Sequence, residues 1–528
     1  MTHNGDRFPV DPSAAGLVVH LNLPHPSLQD NTADADRLRH AMQRQLKLDR
    51  IDMDLAVVKQ LPAVVRRNNY AVRCVVVKER GRGQILHVDS QDSDRILSGL
   101  AVDLGTTRVV VRLVDLDARR VLGEHAFDNP QAVIGPDILA RVHHADQPDG
   151  LAELNRLIID ALNREVAHLC ASCGQSSDRI FLVTVAGNTT MGHLLAGLPV
   201  HGIIREPYIP AANRFGLMDA GQMGIRSHAH ARVYLFPNAG SYFGGDLIAG
   251  ILFCGLDRRT ETAILVDVGT NAEVVLGNRD WLMACAGAAG PALEGGVTRM
   301  GTTAGPGVID RVRINPVTGQ FDIHTIGDLA PRGICGSGVI DLAAQLFLAG
   351  MLDIRGKLMP DRCGERLFVR DELAHLIVVP ADVSGSGEAL TISQADLDSL
   401  IRSKAAMYTI LETITGTMGI SLEDLGTFFV AGTFGSFIDP RSAIALGMIP
   451  DLPLARYHSL GNSSLGGATL ALTDLEILTM AEAVHERITY MELNVNQDFM
   501  NRFSAAKFLP HTDPARFPSV PKPTKADA

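Results

Sequence analysis

A strand, an Asp-Xaa-Gly-Thr turn and a second strand occur twice in this chain, and no other sequence feature limits its fold so closely. The first copy, GLAVDLGTTRVVVRLVDLDARRVLGEHAF, begins at Gly99, and the second, TAILVDVGTNAEVVLGNRDWLMACA, begins at Thr262. In each, an apolar strand ends near an aspartate, Asp103 or Asp267. A Gly-centred turn follows, Gly105-Thr106-Thr107 or Gly269-Thr270-Asn271, and leads into the next strand. The backbone N–H groups of such a turn can converge on an anion and form a nest for phosphate. One copy is weak evidence, because an Asp-Xaa-Gly turn closes many ordinary hairpins. Two copies, each after an apolar strand, imply two related halves and a nucleotide site.

Size and charge fit an enzyme-sized globular chain. At roughly 150 residues per domain, 528 residues amount to about three or four domain lengths. Hydrophobic residues make up 46% and charged residues 20%. Against 48 Lys+Arg stand 59 Asp+Glu, a formal net charge of −11, which argues against a general nucleic-acid binder and against attachment to an anionic membrane. No apolar run approaches the roughly 18 residues of a membrane helix, and the N-terminus lacks a basic start followed by an apolar stretch, so a cytoplasmic protein is expected. The seven cysteines are scattered. Only Cys170 and Cys173 form a CxxC, with no second pair or histidine set to complete a zinc or iron–sulfur site. The pairs His143–His144 and His228, His230 lack companions at ligand spacing and read as surface or core histidines.

Five segments are expected. Residues 1–16 form a loose lead-in; 17–96 a small α/β domain, from the strand LVVHLNL, a helix between Asp30 and Leu48, and the strand pair YAVRCVVVKE and GQILHVD; 97–261 and 262–510 the two halves; and 511–528 a disordered tail with four prolines.

The paired hairpins resemble the acetate and sugar kinase, heat-shock chaperone and actin superfamily. That resemblance implies an α/β chain with a duplicated actin-like (ribonuclease H-like) ATPase fold behind a small N-terminal α/β domain. It also implies ATP and Mg²⁺: Asp103 and Asp267 hold the metal through waters, while Gly105, Thr106, Thr107, Gly269, Thr270 and Asn271 donate to the phosphates. An adenosine loop is then expected after the strand LGTFFVAGTFGSF, where Gly432 and Gly435 leave room for base and ribose. Lys404, on the preceding helix, lies along the adenine through its methylenes or is a solvated helix charge. Asp246, in FGGDLIAGILFCG, orients the attacking water or caps a helix. Glu294 contacts nucleotide or partner, or is a helix-start carboxylate. Asn188, Thr189, Thr190 and Met191 form a turn packed near the first phosphate hairpin.

The segments DNPQAVIGPDILARV, VAGNTTMGHLLAG, REPYIP, MACAGAAGPALEGG, RGICGSGVIDLAAQLFLAGM, VAGTFGSFIDP, GMIP, GNSSLGGA and YMELNVNQDFMNRF resemble, in that order, the reductive activators of corrinoid proteins. The likeness runs from Leu17 to Pro510, and the small domain resembles the family's middle domain. It implies ATP-dependent return of a Co(II) corrinoid protein to Co(I) in a methyltransferase system, and a homodimer. Two departures matter. Relatives generally carry a four-cysteine iron–sulfur domain, whereas only Cys74 precedes residue 170 here, so no cluster is expected in this chain and the electron comes from a separate donor such as a ferredoxin. Relatives also tend to have Ser-Thr, in a loop expected to face the corrinoid, where this chain has Ala286 and Gly287. A sugar-type small-molecule kinase and a nucleotide-switched binding module are the alternative readings.

Overall fold

A short alternating strand, Val18–Asn22, and a longer one, Ala71–Glu79, that buries Val72 through Val77 in a row set the first sheet. In the computed structural model, which describes residues 14–269, 271–288, 298–432, 438–493 and 499–521, strands β1 (Val18–Asn22), β2 (Arg50–Met53), β3 (Ala71–Glu79) and β4 (Arg82–Ser90) form a sheet of order β1-β3-β4-β2. Helices α1 (Asp34–Leu46) and α2 (Leu55–Arg67) bury Leu38, Met42, Leu61 and Val65 in the same core as Val72, Cys74 and Val76 of β3. Burying each such side chain contributes about 1.5–3 kcal/mol.

The chain divides into two compact units, one comprising residues to Gly255 with Ser463–Ile488, the other Leu256–Asn462 with the residues after Ile488. The first unit contains that small sheet and a six-stranded one. The larger sheet is built from β5 (Ser98–Leu104), β6 (Arg108–Asp115), β7 (Arg120–Asp128), β8 (Ile180–Gly187), β9 (Leu217–Asp219) and β10 (Arg232–Leu235), in the order β7-β6-β5-β8-β10-β9. Between β7 and β8 run α3 (Ile138–Ala145) and α4 (Gly150–Ser172), and α5 (Thr189–Ala196) follows β8. Helix α4 buries Leu154, Ile158, Leu162, Val166 and Leu169, a stripe at helical spacing, in the core with Leu100, Val102 and Val183 of the sheet. Helix α6 (Gly245–Cys254) and the helix Ser463–Thr473 pack closely: a Cβ on Gly467 would stand 2.1 Å from the Ala249 carbonyl oxygen.

That contact moves the boundary expected from sequence. Ser463–Ile488 lies within the expected second half, 262–510, yet it belongs to the first unit, tied by Gly467 and by the Thr184 hydroxyl donating to the Ala468 carbonyl at 2.7 Å.

The second unit repeats the theme. Strands β11 (Ala263–Val268), β12 (Asn271–Gly277) and β13 (Leu282–Ala288) are consecutive antiparallel neighbours. Two three-stranded sheets follow: β14 (Val308–Ile314), β15 (Phe321–Thr325) and β16 (Gly333–Ile334), then β17 (Leu367–Arg370), β18 (Leu373–Val379) and β19 (Leu390–Ser393). Helix α7 (Gly336–Leu348) packs on β14, and α8 (Pro360–Cys363) is a single turn. The long α9 (Gln394–Thr417) opens with a capping box between Ser393 and Asp396. Strands β20 (Thr427–Ala431), parallel to β11, β21 (Tyr457–Gly461) and β22 (Ile488–Tyr490) complete the order β21-β20-β11-β12-β13-β22.

The tail expectation does not hold for 511–521. Phe517, 2% exposed, is part of the unit's core, Arg516 pairs with Glu412, and the Ser519 hydroxyl donates to Asp451 at 2.8 Å. One buried aromatic and two polar anchors order a segment whose proline content suggested disorder.

Candidate nucleotide site

The first hairpin is held from behind by buried donors. Strands β5 and β6 remain paired as far as Leu104 and Val109, leaving residues 105–108 as the turn. A Cβ on Gly105 would stand 2.4 Å from the Arg108 carbonyl oxygen, so the tight turn requires glycine there. Every carbonyl of the expected phosphate-binding trio is engaged. Asn129 Nδ2 donates to the Gly105 oxygen at 2.9 Å, Arg141 Nη2 to the Thr106 oxygen at 2.7 Å, and the Asn129 amide to the Thr107 oxygen at 2.8 Å. These peptide units are trans, so each N–H points opposite its own C=O. The Thr106 and Thr107 amides are therefore turned away from the buried donors, and neither makes a hydrogen bond among the described residues. The turn is a preformed anion nest.

Asp103 and its neighbours are also fixed. Ser464 Oγ, at the start of the helix Ser463–Thr473, donates to Asp103 Oδ1 at 2.9 Å. Asn188, the N-cap of α5, accepts from the Met191 amide and donates through Nδ2 to Thr106 Oγ1 at 3.0 Å. The turn at Asn188 thus touches the hairpin through a hydrogen bond.

In the second unit Asp267 is paired across β11 and β12 with Glu273, and across β11 and β20 with Ala431. Gly432 follows with φ +76, and a Cβ there would meet Asp267 Oδ1 at 2.9 Å. Glycine is needed at 432 for backbone conformation and to leave space for the aspartate. Gly269 differs: among the described residues nothing lies within 4 Å of the position of an added Cβ. Two carboxylates opposed across strands would repel. Carboxylate oxygens are the donors that Mg²⁺ takes alongside water, so Asp103 in the first unit, and Asp267 with Glu273 in the second, each have the chemistry that a hydrated Mg²⁺ accepts.

Other expected positions are corrected. Lys404 is fully buried rather than laid along a ligand or solvated. Its Nζ donates to the carbonyl oxygens of Phe508 and Pro510 at 2.7 Å each, and of Gly447 at 3.5 Å, and burial pushes its pKa down. Its methylenes and its amine are both spent inside the protein. Asp246 is not the helix cap: the N-cap of α6 is Gly244, and Asp246 sits in the first turn, where Oδ1 accepts from the Leu247 amide at 2.9 Å. Ala286 and Gly287 lie inside strand β13 rather than in a loop, and a Cβ on Gly287 would press on Ile410 of α9 at 2.6 Å. Thr270, Glu294 and Gly435 lie outside the described residues, and Asn271 enters as the first residue of β12. Among the described residues no group of three His, Cys, Asp or Glu is placed to hold a metal unaided, and no helix is long and apolar enough to cross a membrane.

Sequence reasoning missed Asn129, Arg141, Ser464 and Glu273. Asn129 and Arg141 fall within DNPQAVIGPDILARV and Ser464 within GNSSLGGA, so the stretches were noticed without the roles.

Comparison with known proteins agrees with this architecture. Family models match nearly all of the described chain: the C-terminal domain of RACo, the ASKHA domain, over residues 261–521; the RACo middle region over 98–259; and the RACo linker region over 7–100. A solved structure described as a reductive activator for corrinoid, iron-sulfur protein superposes with a TM-score of 0.83 at 36% identity, covering 97% of this chain and 82% of that one. The corrinoid activation enzyme RamQ of Eubacterium limosum is 27% identical over 480 residues, 89% of this chain and 79% of the relative. The [Co(II) methylated amine-specific corrinoid protein] reductase of Methanosarcina barkeri is 23% identical over 444 residues, 76% of this chain and 75% of the relative. The fold is of the ASKHA type, built for nucleotide binding. The chain belongs to the RACo family. The small domain corresponds to the family's linker region, not to its middle region as expected, and the middle region is the first half of the duplicated fold.

Proposed function

We propose that this chain hydrolyses ATP to drive the return of a corrinoid protein in a methyltransferase system from Co(II) to Co(I). The electron comes from a separate donor of the ferredoxin kind. One electron is added to cobalt per reactivation, and ATP with water gives ADP and phosphate. A 10⁴-fold population swing toward the reducible state needs about 5.5 kcal/mol, within reach of nucleotide turnover.

The observation that carries the reading is the inward capture of the Gly105, Thr106 and Thr107 carbonyls, which leaves the Thr106 and Thr107 amides for an anion. Nucleotide phosphates supply that anion. Asp103 and Asp267 hold Mg²⁺ through water, and Asp246, in the first turn of α6, orients the attacking water. The names of the relatives supply the corrinoid partner. The working form is a cytoplasmic homodimer.

The test combines the purified chain, MgATP, an external reductant and a Co(II) corrinoid protein. The Co(I) absorption band should grow only with ATP, together with ADP release. Growth at the same rate without ATP, or none with the appropriate partner, overturns the proposal.

A further inference from the structure

Arg141 ranks first by volume among the fully buried side chains of the described residues and is 0% exposed. A guanidinium keeps its charge at all accessible pH, and burying it is costly unless an anion compensates. Here the partners are uncharged. Nε donates to the Gly135 oxygen at 2.9 Å, Nη1 to Gln131 Oε1 and Met191 Sδ at 3.3 Å each, and Nη2 to the Thr106 oxygen at 2.7 Å. No ion pair among the described residues includes Arg141. Asp137, the acidic group that acts on it electrostatically, caps α3 and accepts from the Ala140 amide at 2.8 Å.

We propose that Arg141 is a positioning residue whose missing counter-anion is the nucleotide phosphate received at the first hairpin, an assignment that rests on the nucleotide reading above. The route is one peptide unit. Arg141 binds the C=O of Thr106, and the N–H of that same unit belongs to Thr107 and faces the opposite way. A cation on the carbonyl end polarises the unit, so the Thr107 N–H becomes a stronger donor toward an anion. Gln131, fully buried, holds the guanidinium in register by donating through Nε2 to the Leu154 oxygen at 2.9 Å while its Oε1 accepts from Nη1. The hairpin is thus aimed and charged from behind by a side chain that never touches the ligand.

The experiment follows the rise in melting temperature that MgATP produces in the full chain. Arg141→Met and Arg141→Gln should lose most of that rise and weaken ATP by about tenfold or more, whatever their ligand-free melting temperatures. Arg141→Lys, which keeps the charge, should recover most of it. If Arg141→Met does not fold, Arg141→Gln, which retains an amide donor for the Thr106 oxygen, gives the same reading. A charge-free variant that melts cooperatively and keeps the wild-type rise overturns the assignment while leaving the nucleotide reading intact, and so does Arg141→Lys behaving like Arg141→Gln. A wild-type chain that ATP does not stabilise overturns both.

Discussion

The two Asp-Xaa-Gly-Thr hairpins look alike in sequence but are built differently. At Asp103 four residues span the turn, Asn129 and Arg141 hold its carbonyls from the side away from the expected ligand, and Asn188 holds the Thr106 hydroxyl. At Asp267 the last pair is Val268 with Ala272, so the turn is one residue shorter, and the aspartate is framed by Gly432 and opposed by Glu273. Val110 stands where Glu273 stands, opposite Asp103. The motif therefore specifies strand, turn and carboxylate, while side chains distant in sequence decide what each copy does. In the first copy buried side chains fix the carbonyls of the turn, and in the second a carboxylate stands opposite the aspartate.

That division can be broken at several points. The largest effect is expected at the carboxylates. Asp267→Asn should lower ATP turnover about a hundredfold, measured as steady-state ADP release. Asp103→Asn should lose less, because the Ser464 hydroxyl can still donate to the remaining amide oxygen. Equal losses would make the two carboxylates equivalent.

The glycines come next. Gly105→Ala places a methyl 2.4 Å from a backbone oxygen that cannot swing aside, and should cost about 3 kcal/mol in chemical denaturation. Gly269→Ala meets nothing within 4 Å among the described residues and should stay within about 0.5 kcal/mol of wild type while weakening ATP. If both cost the same, the second turn is as tightly built as the first. Asn129→Ala follows: it strips a donor from the Gly105 oxygen and an acceptor from the Gln131 amide inside the protein, for about 2 kcal/mol. A loss below 0.5 kcal/mol would show that the first hairpin does not depend on its backing.

Much of this was legible from strand patterning. Apolar runs ending in Asp103 and Asp267 marked the two central strands, and Gly432 marked a close approach that the structure realises against Asp267. What escaped was tertiary. The tail was read from composition, which registers prolines but not the burial of Phe517. The helix Ser463–Thr473 was assigned by its place in the chain, although Gly466 and Gly467 could have signalled close helix packing; a Cβ on Gly466 would lie 2.6 Å from the Phe253 ring. Lys404 is read as an adenine contact through its methylenes or as a solvated helix charge. Its spacing said otherwise, because Leu397, Leu400, Ile401, Lys404, Tyr408 and Leu411 form one stripe of α9, all of it buried.

Arg141 in the first unit and Lys404 in the second are each a buried basic side chain held by uncharged acceptors. Only one can discharge. Arginine stays charged, which suits a group that must attract phosphate at any pH, whereas burial favours the neutral form of Lys404. The three carbonyls around Nζ offset part of that desolvation but leave the pKa below the ordinary lysine value of about 10.4. In the window beneath that value the unfolded chain binds this proton more tightly than the folded chain. Stability must therefore rise with pH across the window, by at most about 1.4 kcal/mol per pH unit for one proton. Lys404→Met should flatten this contribution, so the difference in denaturation midpoint between wild type and variant should shift in favour of wild type as pH rises from neutral toward 10. Parallel pH profiles would mean that the carbonyls hold a full ammonium through the window, making Lys404 as permanent a charge as Arg141 and removing the contrast between the two units.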